Sequence, residues 1–113
     1  MAATKAVGTN VLSGVTTSQS STANSTSTTY AMCWYIKAVV TSSPSTAATF
    51  YIQQSPDGST YYYGPTYSVP TTNGTYYWQI ALDPTCESTI VTFAAGTAGD
   101  CAFSAQLGTV TGI

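Results

Sequence analysis

Charge is what this chain lacks most. Of its 113 residues only Lys5, Lys37, Asp57, Asp83, Glu87 and Asp100 are charged, and there is no Arg and no His. A soluble domain of ordinary composition is about 25% charged; this one is 5%. Without His there is no imidazole base, so Ser/His/Asp and Cys/His constellations are excluded. With two lysines and a net charge of −2, the chain cannot neutralise a run of phosphates, and nucleic acid is not an expected partner. No glycine-rich phosphate loop is present. No apolar run approaches the roughly 20 residues that span a bilayer as a helix, so no membrane partner is expected either.

Metal ligands are equally scarce. Cys33, Cys86 and Cys101 have no CxxC spacing, and no imidazole can complete a zinc site. Calcium favours clustered carboxylates, and the four acids here are scattered. We expect no metal and no cofactor. A carboxylate pair for glycoside hydrolysis is the one catalytic arrangement left open. However, Asp57 precedes Gly58, Asp83 precedes Pro84 and Asp100 follows Gly99, which are turn positions. The expectation is therefore a protein that is not an enzyme. Three cysteines are an odd number for a disulfide framework, and we read them as small buried hydrophobes, with one pair still able to close in an oxidising medium. Met1 to Lys5 is not followed by the apolar stretch of a secretory signal, so synthesis in a cytoplasm without export is expected. The glycosylation patterns at Asn24 and Asn73 then carry no meaning.

What the chain does have is hydroxyls, β-branched residues and nine tyrosines. Branched and aromatic side chains fit a pleated surface. Tyr30–Thr41 alternates cleanly, with Tyr30, Met32, Trp34, Ile36, Ala38 and Val40 on one face and Lys37 marking the other as wet. Thr46–Gln54 repeats the pattern with Ala48, Phe50 and Ile52 inward, after a turn at Ser43-Pro44-Ser45. Ser55-Pro56-Asp57-Gly58-Ser59 is a specific turn signal: Pro presets φ, Asp bonds nearby backbone and Gly accepts φ > 0. Any strand at Tyr61-Tyr62-Tyr63 should end at Gly64-Pro65. Asn73-Gly74 predicts a tight turn into Thr75–Asp83, which places Tyr76, Trp78, Ile80 and Leu82 on one face. Glu87–Ala94 follows, with Ile90, Val91 and Phe93. After a turn at Gly96–Asp100, Cys101–Val110 closes the chain with Phe103, Ala105 and Leu107 inward. Ala6–Gly14, holding Val7, Val11 and Leu12, adds a short N-terminal strand. Seven or eight short strands with regular turns and no helical period predict a single all-β domain over 1–113, an antiparallel sandwich of Ig-like or jelly-roll-like type. Trp34 and Trp78 are expected to be buried opposite each other in its core.

Two segments point beyond the core. From Val15 to Thr29, eleven of fifteen residues are Ser or Thr, which reads as a surface loop, an irregular edge strand, or an arm that orders on a partner. Tyr61, Tyr62, Tyr63, Tyr67 and Tyr77 are the candidate partner contacts. Consecutive strand positions cannot all face inward, and exposed aromatic rings anchor interfaces or stack on sugars.

The block Phe50-Tyr51-Ile52-Gln53-Gln54-Ser55-Pro56-Asp57-Gly58-Ser59-Thr60-Tyr61-Tyr62 is similar to a segment of small β-sandwich structural proteins of tailed-phage virions: an alternating strand, a Ser-Pro-Asp-Gly turn, then an aromatic. Ile80-Ala81-Leu82-Asp83-Pro84, Ile90-Val91-Thr92-Phe93, Gly96–Asp100 and Phe103-Ser104-Ala105-Gln106-Leu107 resemble the same group. In departure from it, three tyrosines stand where a single Trp is more usual. The resemblance implies a capsid decoration or cement protein that is assembled in the host cytoplasm and displayed on the capsid surface. It implies the major capsid protein or other virion proteins as partner, and a homo-oligomer, with a trimer matching threefold sites. A carbohydrate- or receptor-binding module and a tail or fibre subunit are the competing readings. Contacts made of apolar area and backbone hydrogen bonds survive changes of ionic strength that weaken surface ion pairs, which suits a shell component with few charges.

Overall fold

A computed structural model describes residues 4–21, 24–25, 31–41, 44, 46–83, 85–97 and 99–111, with backbone alone for 4–10, 24–25, 31–32 and 111. Tyr30, Ser43, Ser45 and Pro84, and the side chains of Val7 and Met32, lie outside the described residues, as does much of the Ser/Thr-rich stretch. The described residues hold nine strand segments: β1 Thr4–Val15, β2 Gln19–Ser20, β3 Asn24–Ser25, β4 Ala31–Val40, β5 Thr49–Ser55, β6 Tyr62–Ser68, β7 Gly74–Ala81, β8 Ser88–Ala94 and β9 Cys101–Thr111. They form an antiparallel β-sandwich of two sheets. One is four-stranded in the order β1-β9-β4-β7; the other is five-stranded in the order β2-β8-β5-β6, with β3 also on β8.

Alternating side chains explain the layering. Trp34, Ile36, Ala38 and Val40 of β4 are buried against Phe50 and Ile52 of β5, Val91 and Phe93 of β8, and Phe103 and Ala105 of β9. The centre is aromatic: Phe50 lies 5.0 Å from Tyr67 in a stacked pair, 5.0 Å edge-on to Trp78 and 5.3 Å from Phe103, while Phe93 stacks on Phe103 at 4.6 Å. Each fully buried side chain of this size contributes about 1.5–3 kcal/mol through area removed from water. Trp34 is fully buried, and its indole N–H donates to Thr89 Oγ1 at 3.0 Å across the sandwich. That bond spares the core an unpaired donor. Trp34 and Trp78 do not oppose each other. Both sit on the four-stranded sheet, Trp34 beside Ile80 and Trp78 beside Ile36, and Trp78 is only half-buried because β7 is the edge.

One other expectation is corrected. β6 does not stop at Gly64-Pro65 but continues to Ser68. The register passes from Gln53↔Tyr63 to Tyr51↔Thr66, so Gly64 and Pro65 together oppose Ile52 in a bulge. Proline is tolerated here because, among the described residues, β6 pairs only with β5, and an edge or bulge needs no ladder donor. Gly64 is needed because a Cβ there would lie 3.0 Å from the Ile52 carbonyl oxygen. Asn73-Gly74 leads into β7, and because β6 and β7 belong to different sheets the segment between them crosses from one layer to the other. The described part of the Ser/Thr-rich stretch lines β8. Ser21 N–H donates to the Val91 carbonyl at 2.9 Å, Val91 N–H to Ser21 Oγ at 3.1 Å and Ala95 N–H to Ser18 Oγ at 2.9 Å, while the Ser20 and Thr92 hydroxyls meet at 2.9 Å.

Candidate interaction surfaces

The β5–β6 hairpin is built by its turn. Gly58 N–H donates to Ser55 Oγ at 2.8 Å, and Ser59 and Thr60 N–H groups donate to Asp57 Oδ1, each at 2.8 Å. Ser55 Oγ donates to the same oxygen at 3.0 Å, and Gly58 has φ +79, open to Gly without strain. The Thr60 amide, then those of Ser59 and the Ser55 hydroxyl, hold the Asp57 carboxyl below its ordinary range. Asp83 is tied likewise, by the Thr85 N–H at 2.9 Å and the Thr85 hydroxyl at 2.8 Å, and is lowered by them in that order. Both carboxylates therefore serve as acceptors for local backbone. Asp100 sits in the turn before β9, its carbonyl accepting from Thr41 N–H at 2.8 Å, and Glu87 is exposed.

The five candidate tyrosines are distributed over different surfaces. Tyr67 turns inward onto Phe50. Tyr61 is half-buried, its hydroxyl 2.9 Å from Ser88 Oγ. Tyr62, 64% exposed, lines a cleft of about 260 Å³ at the end of the sandwich with Gln54, Ser55, Pro56, Asp83, Thr85 and Cys86. Tyr63, 72% exposed, stands on the outer face of the five-stranded sheet with its ring 5.4 Å from that of Tyr51. Tyr77, 73% exposed, lies on the outer face of the four-stranded sheet, directly across from Lys37.

Tyr35 was not among the candidates. It is 41% exposed and shares a shallow depression with Lys37, Ser104 and Gln106 on Tyr77's side. Its ring covers the backbone of β9, where a Cβ on Gly108 would meet Tyr35 Cε2 at 2.7 Å. The signal was present: Tyr35 alternates with Lys37 on the face read as wet.

None of the three cysteines is in a disulfide; Cys86 and Cys101 are buried, Cys86 Sγ donates to the Ser88 carbonyl at 2.8 Å, and burial pushes the Cys101 thiol up. Among the described residues no group of three or more Cys, Asp and Glu gathers where it could hold a metal ion. No described helix is long and apolar enough to cross a membrane. Comparison with known proteins finds no matching family model, no matching curated protein and no matching solved structure.

Proposed function

We propose that this chain is a structural subunit of a tailed-phage virion, a decoration or cement protein that binds the major capsid protein lattice and stabilises the head. The observation that carries the reading is the character of the surface. Every large hydrophobic side chain that is exposed among the described residues is a tyrosine: Tyr35, Tyr62, Tyr63 and Tyr77. They lie on strands whose only charge is Lys37. Tyrosine rings give contact area at low entropic cost, with a hydroxyl to satisfy at the wet rim. Asp57 and Asp83 accept hydrogen bonds from the amides of their own turns. Repetition on a lattice multiplies weak contacts into avidity.

The test is co-sedimentation of the tagged chain with purified heads, counting copies against capsid axes. Binding should persist at about 1 M salt, where the Debye length falls to roughly 3 Å. Recovery only with tails overturns the cement role. A second reading, saccharide binding, is favoured by the Tyr62 cleft, where an exposed ring adjoins the Gln54 amide and Asp83. Glycan-array signal lost in Tyr62→Ala would support it; a blank array for the unsubstituted chain would remove it.

A further inference from the structure

Among the described residues the sandwich has four sheet edges, and three are guarded. β1 breaks register with β9 between Val7 and Asn10, between Asn10 and Leu12, and between Leu12 and Val15. β2 and β3 are two residues each. β6 carries Pro65 and the Gly64 bulge. β7 has none of these devices. It runs eight residues, pairs with β4 in unbroken register from Cys33↔Ala81 to Val40↔Gly74, and contains no proline and no charge. Its outer row of backbone N–H and C=O groups meets no strand among the described residues. A long, regular, uncharged edge is a template for another strand.

The sequence of β7 says which strand fits. Thr75-Tyr76-Tyr77-Trp78-Gln79 reads nearly the same in both directions: polar, aromatic, Tyr, aromatic, polar. Antiparallel self-pairing centred on Tyr77 keeps each residue on its own face. Tyr76 then lies opposite Trp78 of the second copy, twice, on the core side. Thr75 lies opposite Gln79, twice, on the outer side. Directly opposed aromatics are favourable cross-strand pairs, and like charges there would be unfavourable. None occurs, since residues 58–82 carry no charge at all. The half-buried Tyr76, Trp78 and Ile80 would be covered by the continuation of the sheet.

We propose that two copies of this chain pair antiparallel through β7 about a two-fold axis at Tyr77, joining two four-stranded sheets into one of eight. The inference concerns the free chain and stands whether or not the virion reading holds. A single strand edge buries less than the roughly 1,600 Å² of a standard interface, so the dimer should dissociate on dilution.

The experiment is in two parts. Light scattering and sedimentation of the unsubstituted chain over a concentration series should give a dimer mass at the high end. Tyr77→Lys, at a site already exposed, should raise the dissociation constant at least tenfold while the circular dichroism stays unchanged. In a Cys33→Ser background, which leaves only the two buried thiols, Tyr77→Cys should form a disulfide dimer on mild oxidation. Thr75→Cys or Gln79→Cys alone should not, because each is then about 13 Å from its own copy. A monomer at the highest soluble concentration, a trimer, a dimer indifferent to Tyr77→Lys, or equal crosslinking at 75, 77 and 79 would each overturn the proposal.

Discussion

β6 and β7 are consecutive in the chain, each borders a sheet, and neither carries a charge. Their edges are treated in opposite ways. β6 is interrupted by a proline and a bulge, and sends one ring, Tyr67, into the core. β7 is unbroken and turns Tyr76, Trp78 and Ile80 inward along its length. Natural sheets often guard an edge with lysine. In a chain with two lysines most of the guarding falls to backbone irregularity or short strands, so a long edge without a bulge is left open. The contrast teaches where to look for association in a protein that cannot use charge to prevent it.

Both strands are fastened to the same side chain, which allows the contrast to be tested at its root. Phe50→Ala removes the partner of Tyr67 and of Trp78 together and should cost about 4 kcal/mol, as for other fully buried aromatics, read as a fall in the urea midpoint at constant slope. A loss below about 1 kcal/mol would mean the two edges have separate anchors. Trp78→Ala should come next, at about 3 kcal/mol because the indole is only half-buried, and Tyr67→Ala after it at about 2 kcal/mol. The reverse order would show that the guarded edge, not the open one, is the better packed.

The same contrast measures how much could be read in the sequence. The layering was legible, since inward residues such as Trp34, Ile36, Phe50 and Phe103 follow from a period of two. The Ser55–Gly58 turn was legible because its chemistry is entirely local. The extent of β6 was not, because whether a proline ends a strand depends on whether a second neighbour needs its missing N–H, and strand order is a non-local property. For the same reason Asn73-Gly74 could be recognised as a turn but not as a crossing between layers. The tyrosines were legible as too many to bury. Which of them reach water was not, since Tyr67 and Tyr63 differ only in their parity relative to a bulge.

Substitution of the bulge itself should have an intermediate effect. Gly64→Ala places a Cβ 3.0 Å from a backbone oxygen that cannot swing away, and should cost about 1–2 kcal/mol. Thr75→Ala, on the exposed side of β7, should fall within about 0.5 kcal/mol. Equal costs would mean that β6 tolerates a regular ladder and that its guard is incidental.

Acid offers a gentler probe, because an aspartate turn precedes β6 and another follows β7. Both carboxyls titrate lower in the folded chain than unfolded, where the ordinary value is 3.8. Their contribution is thus complete above that value and is lost as pH falls through it toward the lower, folded value. Asp57 collects two amides and a hydroxyl against one of each for Asp83, so Asp57→Asn should flatten the acid limb of the stability curve more than Asp83→Asn. An acid limb unchanged by either would show that the turns do not depend on ionised acceptors.

The outward rings should also change stability little, and there stability and association should separate. Tyr63→Ala loses a tilted contact with Tyr51 on the surface, worth at most about 0.5–1 kcal/mol, and Tyr77→Ala should lose less. Each variant should therefore melt close to the unsubstituted chain. If β7 meets a second copy and the outer face of β6 meets a lattice, Tyr77→Ala weakens self-association in dilute solution and leaves the dimer-independent step of head binding in place. Tyr63→Ala should do the opposite, retaining the dimer mass while releasing the chain from heads. Sedimentation of both variants with and without heads tells these outcomes apart. A single variant that abolished both would collapse the distinction between the two edges into one surface.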